Sequence, residues 1–209
     1  GGPTREYLDP VRFLSNPSSG KMGCALAQQA AAAGAEVVLV SGPGALSPEE
    51  MSGENLRVVN VVSAEEMFAA VNENIAGADV FIGAAAVADY TPAQRSAEKM
   101  KKTDEDLTLP LQRTPDILKS VSTGEARPRF VVGFAAESTD LQANARKKLQ
   151  EKNLDLIAAN SVVEDGSGFG ADTNRVTLFG PDDFRRELPL MSKWAVADII
   201  LEHVAMRLE

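Results

Sequence analysis

With 209 residues, 44% of them apolar and 24% charged, the chain has the make-up of one globular domain with one core. No apolar run reaches the roughly 20 residues of a bilayer span, and no basic start leads into a short apolar stretch as in a secretory leader. The formal net charge of −9 speaks against general nucleic-acid binding, which needs a basic face. One cysteine, Cys24, and one histidine, His203, exclude an internal disulfide framework and a His-based metal cluster. The cysteine usage fits a reducing, cytoplasmic setting.

The chain opens on Gly1-Gly2-Pro3-Thr4, a turn sequence without an initiator methionine. It reads as a domain belonging to a longer polypeptide, with a first strand lying before it. Small residues around Ser18-Ser19-Gly20 lead into an Ala-rich helix over 21–33, in which Cys24 packs rather than reacts. Apolar, β-branched runs predict strands over 37–40, 58–62, 80–84, 130–134, 154–158 and 176–179. Helices are predicted over 65–75, 115–122, 141–152 and 193–208, the last placing His203 in a packing or surface role. Ser63 followed by Glu66, and Thr139 followed by Gln142, read as capping boxes. Thr114 before Pro115 and Asp116 offers an N-cap, a proline at N1 and a charge suited to the helix dipole. Residues 85–112 form the irregular part, and 99–106 are polar enough to make a mobile flap. Strands apolar on both faces, separated by helices, mean a mainly parallel sheet covered on both sides. The fold class is therefore α/β, Rossmann-like, in a single domain over 1–209.

Several stretches carry candidate chemistry. In Asn16-Pro17-Ser18-Ser19-Gly20-Lys21-Met22-Gly23, small residues let backbone N–H groups approach a ligand, and the helix start favours an anion. Neither a Walker A loop nor the dinucleotide fingerprint is present, since Ser15 and Met22 stand where the former needs Gly and Ser or Thr. The bland reading is a turn that starts a helix. Gly83-Ala84-Ala85-Ala86-Val87-Ala88-Asp89-Tyr90 follows a buried strand, where open α/β sheets bind ligands. Asp89 suits Mg²⁺, a ribose hydroxyl or simple turn formation. A dehydrogenase Tyr-Lys pair is missing, because Gln94 stands four residues after Tyr90. Two cation clusters stand out in an acidic protein: Lys99, Lys101 and Lys102, then Arg146, Lys147 and Lys148. Lys148 and Lys152 share one helix face. Such clusters suggest a small polyanion, or else two solvated faces.

In this order, Gly1-Gly2-Pro3-Thr4-Arg5-Glu6, Asp9-Pro10-Val11-Arg12, Asn16 with Ser18–Gly23, Ala85–Tyr90, Glu98-Lys99-Met100-Lys101-Lys102 and Gly133-Phe134-Ala135-Ala136-Glu137 resemble bacterial phosphopantothenoylcysteine synthetase. Asn153-Leu154-Asp155-Leu156-Ile157, Ala159-Asn160 and Gly168-Phe169 extend the resemblance over nearly the whole chain. It implies a CTP-dependent ligation of 4′-phosphopantothenate to L-cysteine through an acyl-cytidylate, with Mg²⁺ accompanying the triphosphate. It also implies a homodimer formed through the region after Tyr90, at 91–97 and 107–111. An N-terminal decarboxylase domain carrying FMN is implied in the full-length protein. By the same resemblance Lys99 and Asn16 are the catalytic residues. Ala84, Ala85, Ala86, Asp89, Lys99, Thr114, Pro115, Asp116, Ile117, Phe134, Lys148 and Lys152 would contact CTP. Ser18, Ser19, Gly20 and Lys21 would hold the phosphate and pantothenate portion, and Asp89 is the candidate metal ligand. Thr114 departs from the family's asparagine at that position.

Overall fold

The structure, a computed structural model, describes residues 1–44, 53–102, 106–137, 139–161, 168 and 170–209. In chain order a hairpin of β1 (Arg5–Tyr7) and β2 (Phe13–Ser15) precedes α1 (Lys21–Ala32), β3 (Val37–Ser41), β4 (Leu56–Asn60), α2 (Ala64–Asn74) and β5 (Val80–Gly83). A second hairpin, β6 (Tyr90–Pro92) with β7 (Leu111–Arg113), leads to α3 (Ile117–Thr123), β8 (Phe130–Glu137), α4 (Leu141–Glu151) and β9 (Leu156–Ser161). The chain finishes with β10 (Thr173–Asn174), β11 (Thr177–Phe179), β12 (Arg185–Glu187), β13 (Met191–Ser192) and α5 (Lys193–Leu208).

The expected α/β class is borne out, with a more detailed topology. β5, β8 and β9 run parallel, and β11 and β12 add antiparallel strands beyond β9, giving the order β12-β11-β9-β8-β5. β3 and β4 form a separate parallel pair. The predicted strands and helices all occur, their ends shifted by a few residues. The short strands of the two hairpins, and β10, β12 and β13, escape the periodicity because two or three residues are too few to show alternation.

Helices cover both faces of the five-stranded sheet. On one face Leu26 of α1 and Val196, Ile200 and Val204 of α5 pack on Val132, Leu156, Ala158 and Leu178. On the other, Ala145 and Leu149 of α4 meet Val131, Ile157, Ala159 and Phe179. Fully burying each aliphatic side chain of this size stabilises by about 1.5–3 kcal/mol, so both layers matter. Cys24 and Ala27 pack on Leu39 and Leu56; Cys24 is a core residue, as its surroundings in sequence suggest. His203 is buried between Phe184, at 4.7 Å, and Phe130, at 6.4 Å between ring centres. Burial, then the charges of Arg207 and Arg186, hold its imidazole below the ordinary value.

Helix starts follow the sequence in part. Ser63 Oγ accepts from Glu66 N at 3.2 Å, and the Glu66 carboxylate accepts from Val62 N at 2.7 Å, one residue before the reciprocal partner of a standard box. The other two caps are corrected. Asp116, not Thr114, caps α3, its carboxylate accepting from Lys119 N at 3.0 Å. Asp140 in the left-handed region, rather than Thr139, begins α4 without a side-chain cap. Pro115 disfavours a helical residue 114, and α3 starts only at Ile117.

One close backbone approach holds the front of the domain together. Pro3 passes so near Gly42 that a Cβ on Gly42 would lie 1.8 Å from the Pro3 carbonyl oxygen. Buried Glu6 then accepts from Ala64 N at 2.9 Å, tying β1 to the start of α2, where an anion is favoured. Gly42→Ala should therefore lower unfolding stability by about 3 kcal/mol, the upper range for overpacking. A surface control, Thr123→Ala, should change it by less than about 1 kcal/mol. Urea unfolding followed by circular dichroism checks this, and equal midpoints for the two variants would contradict the close approach.

Candidate active site

Ala84–Asp89 leaves β5 as an irregular loop clamped from three directions. Ala88 N donates to Thr4 Oγ1 at 3.0 Å. Asn16 Nδ2 donates to the carbonyls of Ala86 at 3.0 Å and Val87 at 3.4 Å. Thr114 Oγ1 donates to Ala88 O at 2.6 Å, while Thr114 N donates to Asp89 O at 3.1 Å. Thr114 is thus a loop clamp rather than a helix cap, its hydroxyl bonded to the loop itself. Three residues distant in sequence fix one stretch of backbone, so its shape is set before any ligand arrives.

Beside this loop lies a cavity of about 870 Å³. Its polar end is lined by Ala84, Ala85, Asp89, Thr114, Pro115, Asp116, Ile117, Phe134, Lys148 and Lys152, which is the expected nucleotide set with Ala86 and Lys99 left out. Lys148 Nζ donates to Phe134 O at 3.3 Å. Lys152 Nζ pairs with the Asp116 carboxylate at 3.0 Å. Burial first, then the like charge of Lys152, push the Lys148 ammonium below its ordinary value; Glu137, Asp89 and Asp116 oppose this. Two half-buried cations stand together at one wall, and a polyanion placed between them would restore what each lost on leaving water.

The second cation cluster splits in the fold. Arg146 pairs with Asp183 at 3.2 Å and lies 5.5 Å over the Phe179 ring, and Lys147 sits 3.9 Å from Glu151, so only Lys148 turns into the cavity. Asn16, Ser18, Ser19, Gly20 and Lys21 lie outside the cavity lining, and of these Asn16 bonds to the Ala86 loop. Gly20, at φ 75°, precedes α1 and brings no side-chain cap to its first N–H groups. Lys21 turns elsewhere, pairing with Asp172 at 2.6 Å. Lys99 is exposed and does not line the cavity. Phe169, and 103–105 of the expected flap, lie outside the described residues. Among the described residues no three His, Cys, Asp or Glu side chains gather as a metal site, and Asp89 is an exposed single carboxylate.

Sequence reading missed the role of Asp9. This buried carboxylate accepts from Val11 N and Arg12 N at 2.8 Å each, from Arg12 Nε at 2.9 Å and from Met100 N at 3.1 Å. Arg12 also donates to Met100 O at 2.9 Å. The guanidinium, aided by these N–H groups, holds the Asp9 carboxyl well below the usual carboxylate range. The residue next to Lys99 is thereby pinned to the first hairpin. An Asp followed by Pro signals the local turn, but nothing local marks the partner 91 positions on. Lys193, another buried cation, donates to Gly168 O at 3.2 Å and Ala171 O at 2.5 Å and has a structural role.

A family model described as the DNA/pantothenate metabolism flavoprotein C-terminal domain matches residues 1–208. The coenzyme A biosynthesis bifunctional protein CoaBC of Bacillus subtilis is 50% identical over 204 residues, covering 98% of this chain and 49% of that protein. Its namesake in Escherichia coli K12 is 44% identical over 209 residues, covering 99% and 50%. The chain spans about half the length of these curated relatives. A crystal structure of the C-terminal domain of a CoaBC protein superposes with a TM-score of 0.80 at 42% identity, covering 99% of this chain and 92% of that one. Among the described residues no helix is long and apolar enough to cross a membrane.

Asp9→Asn keeps one acceptor but turns an amide donor toward Arg12. Tryptic cleavage at Lys99, Lys101 and Lys102 under native conditions should then quicken by about tenfold as local opening becomes easier. A depressed carboxyl gives its tie full strength above about pH 4 and loses it as acid protonates Asp9. Pepsin digestion between pH 4 and 2 should therefore open the wild-type segment but change little for Asp9→Asn. Identical digestion patterns at both pH values would show that Asp9 does not hold the segment.

Proposed function

Because the chain belongs to the DNA/pantothenate metabolism flavoprotein C-terminal domain family, we propose that it is a phosphopantothenate–cysteine ligase of coenzyme A biosynthesis. It joins 4′-phosphopantothenate to L-cysteine with CTP, through 4′-phosphopantothenoyl-cytidylate. The observation that carries this reading is the convergence of Asp89, Thr114–Ile117, Phe134, Lys148 and Lys152 on one cavity beside a clamped small-residue loop. The full names of the bifunctional relatives place them in coenzyme A biosynthesis, and half of each relative's length remains for a decarboxylase domain, the place for FMN.

In the first step a carboxylate oxygen of 4′-phosphopantothenate attacks the α-phosphorus of CTP, and pyrophosphate leaves. The cysteine amine then attacks the acyl carbon, loses a proton and expels CMP. Bringing two anions together is the main barrier, so fixed cations are the main need. Lys148 and Lys152 bind the triphosphate, and Phe134 with the Ala84–Ala86 backbone holds the cytidine. A lysine about 4 Å from a phosphoryl oxygen contributes up to about 4 kcal/mol at an effective dielectric near 20. Lys99 supplies that cation when its segment closes over the site, which also keeps water from the mixed anhydride. Mg²⁺ would arrive on the triphosphate, with Asp89 the protein group nearest to hand, and would neutralise the leaving pyrophosphate. Ser18, Ser19, Gly20 and the α1 N-terminus take the phosphate of phosphopantothenate, with Lys21 free to join them on leaving Asp172.

Pyrophosphate release with CTP, ATP, GTP and UTP side by side tests the reading. It should depend on 4′-phosphopantothenate and favour CTP. Lys99→Gln should slow it by about 10²–10³, as for loss of one transition-state donor. In Asn16→Asp the donor to Ala86 O and Val87 O is replaced by a carboxylate. This variant should still make acyl-cytidylate yet pass little of it to cysteine, so mass spectrometry of quenched reactions should show the intermediate accumulating. Pyrophosphate release indifferent to 4′-phosphopantothenate would sink the ligase reading. Amide formation at the normal rate would leave Asn16 a loop clamp alone.

The functional unit is a two-fold homodimer. Large apolar side chains lie exposed along the hairpin segments: Val11, Phe13, Tyr90, Leu107 and Leu111. β6 and β7 pair with each other, and these exposed side chains would make a self-complementary interface. Sedimentation should give twice the 22.2 kDa of one chain; Leu107→Asp together with Leu111→Asp should return it to a single chain.

A further inference from the structure

Three cations line the large cavity, and two of them are already engaged. Lys148 Nζ donates to the Phe134 carbonyl, and Lys152 pairs with Asp116. The third is Arg113, the last residue of β7. It is exposed, and among the described residues its guanidinium has no hydrogen-bond or ion-pair partner. Other arginines of this acidic chain find carboxylates: Arg12 holds Asp9, Arg127 holds Asp155 and Arg146 holds Asp183. Arg113 stands in a cavity wall with its donors uncommitted.

The backbone that carries this residue is fixed on both sides. Arg113 lies opposite Tyr90 in the β6–β7 ladder. The next residue, Thr114, is bonded to Asp89 O through its N–H and to Ala88 O through its hydroxyl. Further on, Asp116 accepts from Lys119 N and from Lys152 Nζ, both at 3.0 Å. Three residues of extended chain span at most about 11 Å, so Arg113 and the anchor of Lys152 belong to one short stretch of wall. Asp116 is thus engaged with Lys152, and Asp89 forms no pair with Arg113. Neither carboxylate of this wall neutralises the guanidinium.

We propose that Arg113 binds the terminal phosphates of the nucleoside triphosphate and makes the site select a triphosphate over a monophosphate. This rests on the nucleotide reading of the cavity given above. A guanidinium presents its N–H donors as a planar fork and meets a phosphate through two parallel bonds, which a single ammonium cannot do. In the first step the carboxylate oxygen bonds to the α-phosphorus while the bond from that phosphorus to the bridging oxygen breaks. The electron pair of the broken bond stays on the departing pyrophosphate, and no proton moves. Charge therefore grows on the group that Arg113 holds, where a fixed donor counts most. Lys152 has to share or surrender Asp116 to serve a phosphate; Arg113 has no ion pair to break.

Equilibrium binding of CTP and of CMP, with Mg²⁺ and without 4′-phosphopantothenate, tests this in Arg113→Gln and Arg113→Lys. Arg113→Gln should weaken CTP binding by about 10–100-fold, the loss expected for hydrogen bonds to a charged group. Its affinity for CMP should change by less than about twofold, as for a surface substitution. Arg113→Lys should fall between wild type and Arg113→Gln for CTP, because the charge stays and the fork is lost. In turnover the KM for CTP should rise in step, while that for 4′-phosphopantothenate holds. Retained CMP binding shows that the Thr114 clamp and the rest of the site are intact, so a folding defect does not imitate the result. Unchanged CTP affinity in Arg113→Gln, or equal loss of CTP and CMP, would overturn the role of Arg113 and leave the nucleotide reading standing. A wild-type chain that binds neither nucleotide sinks that reading, and this inference with it.

Discussion

The passage of Gly1–Thr4 between the ends of β3 and β5 is the constraint on which the front of this domain depends. Its backbone bonds to Val40 and Gly42 on one side and to Ala86 on the other. Gly42 has to lack a Cβ for the passage to exist. From that fixed line Thr4 reaches Ala88, Glu6 reaches the start of α2, and Ser15 Oγ donates back to Thr4 O at 2.7 Å. Asn16, one residue further, is delivered to the Ala86 carbonyl. A stretch of four residues thus positions the loop that walls the cavity, and the sheet on either side only supports it.

The cavity's charge arrangement follows from what α4 can and cannot bury. The helix packs Ala145 and Leu149 into the core, which places Lys148 and Lys152 on the neighbouring face, over the ends of β8 and α3. Lys152 has a partner in Asp116, while Lys148 has a carbonyl and the more distant field of three carboxylates. A desolvated ammonium with incomplete compensation is costly in a structural role and useful in a binding one. It lowers the cost of exchanging carboxylate neighbours for phosphate oxygens.

Much of this was legible in the sequence, for a physical reason. The strands of the central sheet are apolar on both faces, and α1, α2, α4 and α5 are long enough for periodicity to show. Ala85, Asp89, Phe134, Lys148 and Lys152 were readable through ordered blocks of residues and resemblance, and the fold brings them to one cavity. Asp9 was not readable as an anchor, since its partner Met100 is brought to it only by tertiary structure. Thr114 looked like a cap because local spacing favours one, yet the competing bond to Ala88 O wins. Arg146 and Lys147 looked like part of an anion site until the helix turned them to Asp183 and Glu151.

These pieces divide the site into a fixed half and a hinged half. Thr4, Asn16 and Thr114 hold the Ala84–Asp89 backbone by short side-chain bonds, so that wall needs no rearrangement to receive a base or sugar. The cation at residue 99 is held differently. Its neighbour Met100 is bound on both its N–H and its carbonyl by Asp9 and Arg12, while Lys99 itself stands in solvent. A residue adjacent to a pinned backbone unit can swing without the segment as a whole coming loose, because rotation about a few dihedrals suffices. In the proposed reaction Met100, held by Asp9 and Arg12, would be the fixed point about which Lys99 turns. This also gives a role to the buried Asp9 and its exposed partner Arg12, which sit beside the one cation that the proposed chemistry still has to bring in.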